Sequence, residues 1–157
     1  MEEKIMLCRD ITEEDKREIC SWRYEGEYAI YNLPSYEEMC KAGSGFMNPQ
    51  KEKNYRVFLV EDTLVGFVNR REESTEVLIG IGVRPNCCGK GFGRRILDEV
   101  YRTSKAQSPN KPLCLEVRTW NQRAIKCYQK AGFEIDGAPC ELTTPSGTGM
   151  FVRMKKS

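Results

Sequence analysis

The chain has 157 residues, 25 basic against 23 acidic, for a net charge of +2; that is enough for one domain with its own core, and too little charge to point to nucleic acid or an anionic membrane as a partner. It contains no histidine, and its eight cysteines include no Cys-x-x-Cys pair, so His-dependent bases and the usual zinc spacings are excluded and no metal is expected. A charged start without an apolar segment predicts no secretory leader, and no apolar run approaches the roughly 20 residues that cross a bilayer. The expectation is a soluble, cytoplasmic chain forming a single domain over 1–157, monomer or homodimer, with most of its cysteines buried as small apolar residues.

Residues 5–11 read as a first strand, and Thr12-x-x-Asp15 as a capping box opening a helix whose apolar positions include Ile19 and Trp22. Ser35-x-x-Glu38 repeats the signature for a second, short helix. Residues 55–60 and 64–68, joined through Glu61-Asp62-Thr63, predict a hairpin, and residues 77–83 a buried strand. Phe92, Ile96 and Val100, with Leu97 and Tyr101 alongside, form the stripe of a helix packed on a sheet. Residues 108–112 break that helix and residues 113–117 make the next strand, so strand, crossover helix and strand predict a right-handed βαβ unit with a parallel pair. Asn121 caps a helix through Ala124, Ile125, Tyr128 and Ala131, with Gly132 past its end and Phe133 starting a further strand. A final strand, residues 150–154, follows a turn-rich segment, residues 143–149. The fold class is mixed α/β, with antiparallel strands first and the parallel βαβ unit in the second half.

Between the strand at 77–83 and the helix after it runs Arg84-Pro85-Asn86-Cys87-Cys88-Gly89-Lys90-Gly91-Phe92-Gly93-Arg94-Arg95. A nucleoside-triphosphate loop requires Gly-Lys followed by Ser or Thr, and Lys90 is followed by Gly91. The dinucleotide fingerprint fails as well, since Gly80-x-Gly82 is followed three on by Pro85, and Gly91-x-Gly93 by Ile96. What remains is Gly89 and Gly91-x-Gly93 ahead of a helix, where consecutive N–H groups can turn toward a diphosphate at the positive end of the helix dipole. Gly80 and Gly82, set within a strand, suggest a ligand close to the backbone. The alternative is a plain glycine-rich turn whose cations are merely solvated.

Val83-x-Pro85, Cys88-x-x-Gly91-x-Gly93 and Leu115-Glu116-Val117-Arg118-x-x-Asn121-x-x-Ala124-x-x-x-Tyr128-x-x-x-Gly132-Phe133 together resemble the GCN5-related N-acetyltransferase (GNAT) superfamily, the second half being similar to its ribosomal-protein N-acetyltransferase branch. The resemblance implies a sheet whose two parallel strands splay around the cofactor. It implies acetyl-coenzyme A as cosubstrate, bound by Ile81, Gly82, Val83, Cys88, Gly89, Lys90, Gly91, Phe92, Gly93, Arg94, Asn121 and Tyr128. The family's Gln or Arg at the first motif position is Cys88 here, which removes one side-chain contact and leaves the backbone donors.

The implied reaction is acetyl transfer to the primary amine of an acceptor, a small molecule or a protein. The resemblance places Tyr128 beside the coenzyme sulfur as acid and Glu116 as base; packing on a helix face and an ordinary strand-face carboxylate are their plain alternatives. Glu76 is a second candidate base, and the N–H of Val83 a donor to the thioester carbonyl. Trp22, Tyr24, Tyr28 and Tyr31 with Glu25 and Glu27 either line an acceptor pocket or pack under a loop. A coenzyme A-binding sensor without turnover is the competing function, and a nucleic-acid module lacks the continuous basic face it would need.

Overall fold

The computed structural model describes residues 4–157; the reading of a leaderless start rests partly on residues 1–3, which lie outside the described residues. Two compact units divide the chain, one built from the residues up to Asn69 and Ile81–Phe92, the other from Arg70–Gly80 and Gly93–Ser157. In chain order the elements are β1 (Met6–Asp10), α1 (Glu13–Ser21), α2 (Tyr36–Ala42), β2 (Tyr55–Val60), β3 (Thr63–Glu72), β4 (Val77–Val83), α3 (Phe92–Gln107), β5 (Leu113–Arg118), α4 (Gln122–Lys130), β6 (Glu134–Ile135), β7 (Cys140–Thr144) and β8 (Gly147–Lys156). The strand order is β1-β2-β3-β4-β5-β8-β6, with β7 also on β8. The fold is the mixed α/β arrangement that the order of elements predicts.

In the first unit, α1 opens on the predicted capping box: Asp15 N donates to Thr12 Oγ1 at 3.2 Å, and Thr12 N to Asp15 Oδ2 at 2.8 Å. Burial by itself would push the Asp15 carboxyl up, but hydrogen bonds from the Arg9 guanidinium and from Thr12 outweigh it and hold the group below the usual carboxylate range. Next to it the buried Lys16 ammonium lies between Glu13 at 2.8 Å and Glu52 at 2.6 Å. The helix stops short of Trp22, contrary to the sequence reading. Ser21 Oγ donates to Glu18 O at 2.5 Å, and Arg23 Nη1 takes the carbonyls of Cys20 and Trp22 at 3.0 and 2.7 Å, so side chains satisfy the helix end. Trp22 instead enters the core with Ile19, Met39, Phe46, Tyr55 and Val57.

The hairpin of β2 and β3 turns on two residues, not three. Glu61 (φ 50°) and Asp62 (φ 65°) are both left-handed, the conformation that matches the twist of the flanking strands. β3 also continues to Glu72, well past Val68, where the sequence reading ends the strand. Its polar side chains find fixed partners: Arg70 Nε donates to Ser104 Oγ at 2.8 Å, and Glu72 accepts from Ser108.

In the second unit β4 and β5 run parallel as predicted, paired at Val77/Leu113 and Leu78/Cys114. The pairing ends there within this unit, although β4 runs on through Ile79 and Gly80. α3 buries Ile96, Leu97, Val100 and Ser104. Asn121 Oδ1 accepts from Ala124 N at 3.1 Å to start α4, and Gly132 (φ 94°) follows its end. The segment read as turn-rich is a hairpin: β7 and β8 pair from Cys140/Phe151 to Thr144/Gly147, leaving only Pro145-Ser146 to turn. Threonines serve here as strand formers, Thr143 and Thr148 bonding across the pair at 2.9 Å.

The cysteines depart from expectation. All eight are free thiols; Cys20, Cys87 and Cys114 are buried, while Cys8, Cys40 and Cys140 are exposed.

Candidate functional site

The predicted site residues fall in both units, and each group has its own local geometry. Ile81, Gly82, Val83, Cys88, Gly89, Lys90, Gly91 and Phe92 belong to the first unit. Val83 ends β4, and its carbonyl accepts from Tyr24 Oη at 2.6 Å. Arg84 N donates to Val65 O at 2.8 Å, while its guanidinium reaches Leu64 O at 2.9 Å and Glu18 at 2.6 Å and lies 5.8 Å over the Trp22 ring. The chain leaving the strand is thus fastened on both sides. A short 3-10 turn, Pro85–Cys87, then carries it to Cys88. The Cys88 thiol turns back toward the carbonyls of Arg84 and Val83, at 3.5 and 3.8 Å.

Beyond Cys88 the backbone is left-handed at Gly89 (φ 78°) and Gly91 (φ 83°). A Cβ at either would meet nothing within 4 Å, so it is the dihedral angle, not space, that calls for glycine. The first N–H groups of α3, including those of Gly93 and Arg94, have no intrahelical acceptor. Two left-handed glycines therefore lead directly into the positive end of a 16-residue helix, a place where backbone N–H groups can meet an anion. Lys90 is exposed beside it, and Arg94 lies 4.0 Å from Asp98, one turn on.

Gly82 has a different explanation from the one its place in a strand suggests. A Cβ there would collide with the Phe67 ring, so this glycine makes room for an aromatic side chain of the core. Trp22 is likewise committed to packing, 6.1 Å from the Phe67 ring centroid, and Tyr24 to holding Val83. Tyr28 and Tyr31 are half-buried in the 3-10 segment Gly26–Tyr31, with Glu25 and Glu27 exposed.

In the second unit, Glu116 lies on β5 directly across from Arg153 on β8. Arg153 Nη2 is 2.5 Å from Glu76 and donates to Cys114 Sγ at 2.9 Å, with Nε 3.8 Å from Asp136. Burial pushes the Cys114 thiol up in spite of the neighbouring guanidinium. Of the two candidate bases, Glu76 is therefore held in an ion pair, whereas Glu116 is exposed and carries no ion pair among the described residues. Asn121 is buried as the cap of α4, and Tyr128 is half-buried in the last turns of that helix, its carbonyl accepting from Ala131 N and Phe133 N at 3.1 and 3.0 Å. Arg84 and Arg153 went unnoticed in the sequence. Period-two spacing along β5 and β8 is the signal that brings Arg153 opposite Glu116.

A model of the acetyltransferase (GNAT) family matches residues 14–133, which takes in both the glycine loop and the α4 motif. The chain belongs to this family. No curated protein sequence matches it. Solved structures with the fold include a chimera of the spermidine N-acetyltransferase SpeG from Vibrio cholerae and hSSAT, at a TM-score of 0.73 and 20% identity over 96% of this chain and 93% of that one. The ribosomal-protein-S18-alanine N-acetyltransferase from Escherichia coli aligns at a TM-score of 0.66 and 18% identity over 96% and 92% of the two chains. An aminoglycoside acetyltransferase, AAC(6')-Ib in complex with coenzyme A, aligns at 0.70 and 18% over 95% and 94%. These GNAT neighbours share the fold and differ in their acceptors. No helix among the described residues is long and apolar enough to cross a membrane, and no group of three metal-ligating side chains comes together among them.

Proposed function

We propose that this GNAT chain transfers the acetyl group of acetyl-coenzyme A to a primary amine, acting as a single catalytic domain. The observation that carries the reading is the pair of left-handed glycines, Gly89 and Gly91, immediately ahead of the N-terminus of α3. A diphosphate matches the N–H groups of such a helix start in charge. Cys88 does not weaken the match, because its thiol faces the carbonyls of residues 83 and 84 and the recognition lies in the backbone. Ile81, Gly82 and Val83 provide the strand edge for the pantetheine, with the Val83 N–H serving the thioester carbonyl.

In the reaction, the acceptor ammonium first gives a proton to Glu116, directly or through water, because nitrogen has no lone pair until it does. The C–N bond then forms as the C–S bond breaks, Tyr128 protonates the departing thiolate, the second proton of the nitrogen passes through water to the resulting phenolate, and Glu116 releases the first to solvent. Glu116 suits the base because it is exposed and unpaired, whereas Glu76 would first have to leave Arg153. The neighbours named for spermidine, an aminoglycoside and a ribosomal-protein alanine all carry amine acceptors, which supports that class for this chain.

The test is a mass-spectrometric assay of acetyl-coenzyme A with a panel of amines and peptides. Acetylated acceptor and free coenzyme A in equal amounts are expected. Tight coenzyme A binding without transfer to any acceptor would indicate a sensor instead.

A further inference from the structure

Arg118 has the surroundings of an anion site. It is only 4% exposed, and its guanidinium lies across the β7–β8 hairpin, with its carbon 4.8 Å from the Phe151 ring centroid and Nη2 3.5 Å from Thr144 Oγ1. Gly149 makes this possible, since a Cβ there would collide with Nη1. Among the described residues no carboxylate forms an ion pair with Arg118, not even Glu116 two positions before it on the same strand face. Arg153, the other guanidinium on that face, is matched by Glu76 and Asp136. A cation this far from water is unfavourable until something negative meets it. Among the described residues the buried side-chain atoms with no partner are Trp22 Nε1 and Asn69 Oδ1; the unbonded N–H groups of Arg118 are not among them, so their edge is open to a dissolved anion.

We propose that Arg118 receives an anionic group of the acceptor, and that the acceptor is an amine carrying a carboxylate or phosphonate-like group roughly 7 Å from its nitrogen, the distance spanned by two strand residues. This rests on the reading of Glu116 as the base that meets the amine. The planar fork of an arginine suits such an anion, because two parallel N–H groups can meet two oxygens. Stacking on Phe151 and the bond to Thr144 hold the fork in place.

The experiment compares kcat/KM with acetyl-coenzyme A for 5-aminopentanoate, 4-aminobutylphosphonate, pentylamine and 1,5-diaminopentane. The two anionic acceptors should exceed the others by about tenfold or more, the worth of a charge-assisted hydrogen bond, and their ranking separates carboxylate from phosphonate. Arg118→Met should abolish that preference and Arg118→Lys keep part of it, the change appearing in KM for the anionic acceptors. On the unaltered enzyme, glutarate should compete with 5-aminopentanoate more strongly than with pentylamine, a readout that does not depend on a variant folding. Equal rates on anionic and neutral amines, or Arg118→Met lowering both in proportion, would overturn the proposal while leaving acetyl transfer standing. Failure to acetylate any amine would overturn both readings.

Discussion

On the proposed reading the groups that matter between Gly89 and Phe92 belong to the backbone, set by two left-handed glycines where an added Cβ would meet nothing within 4 Å. On β5 and β8 they are side chains, with Glu116 opposite Arg153 and Arg118 opposite Phe151. The two regions therefore tolerate opposite kinds of change. A loop that recognises through its backbone tolerates the loss of a side chain but not of a dihedral angle. A strand face keeps its backbone whatever the residue and loses its chemistry with one substitution.

The largest expected effects are on side chains, at Tyr128 of α4 and Glu116 of β5. Tyr128→Phe should lower kcat by roughly a hundredfold or more, the usual worth of a positioned general acid, with little change in coenzyme A affinity. Pre-steady-state rates and calorimetric binding on the same variant check both parts. Glu116→Gln should lose activity most at low pH, where little amine is neutral, and recover partly as pH rises and solvent deprotonates the acceptor. A pH–rate profile decides it: an unchanged profile here, with partial rescue in Glu76→Gln, would move the base to Glu76.

The backbone region should answer differently. Gly91→Val places a β-branched residue at a φ of 83°, a strain of about 1–2 kcal/mol that shifts the loop and costs roughly tenfold in coenzyme A affinity. Cys88→Ala should stay within about twofold, as expected for a side chain that faces its own backbone. Calorimetry on the two variants side by side shows whether backbone or side chain carries the recognition.

The smallest effect lies away from both regions. Asp15 is held below the usual carboxylate range, so the stability it contributes is present above its unfolded pKa and is lost as pH falls through its lower folded value. Asp15→Asn should lower stability by about 1 kcal/mol near neutrality, a typical loss for a cap. It should also flatten the decline of melting temperature in acid.

Much of this was legible in the residues. Thr12-x-x-Asp15, the Asn121 cap of α4 and the bounds of β4 follow from local rules, because one or two side chains decide each. The end of β3 and the β7–β8 hairpin were not legible. There polar residues hold strand conformation only because Ser104, Ser108 and a facing threonine satisfy them, and those partners are distant or look like turn formers. Gly82 shows the same limit from the other side: a glycine suited to ligand approach is there for the Phe67 ring. The left-handed backbone at Gly89 and Gly91 answers to a local need of the chain, whereas Arg118 was passed over since two of its neighbours, Thr144 and Gly149, come from a segment taken as turns.

The central claim, that loop N–H groups hold the coenzyme diphosphate, is tested most directly by amide NMR of the 15N-labelled chain during titration with coenzyme A. The resonances of Gly89, Lys90, Gly91, Phe92, Gly93 and Arg94 should move together and saturate with the binding isotherm, and Gly91→Val should shift that isotherm to higher concentration. Saturation elsewhere in the chain while these six amides stay still would contradict the account.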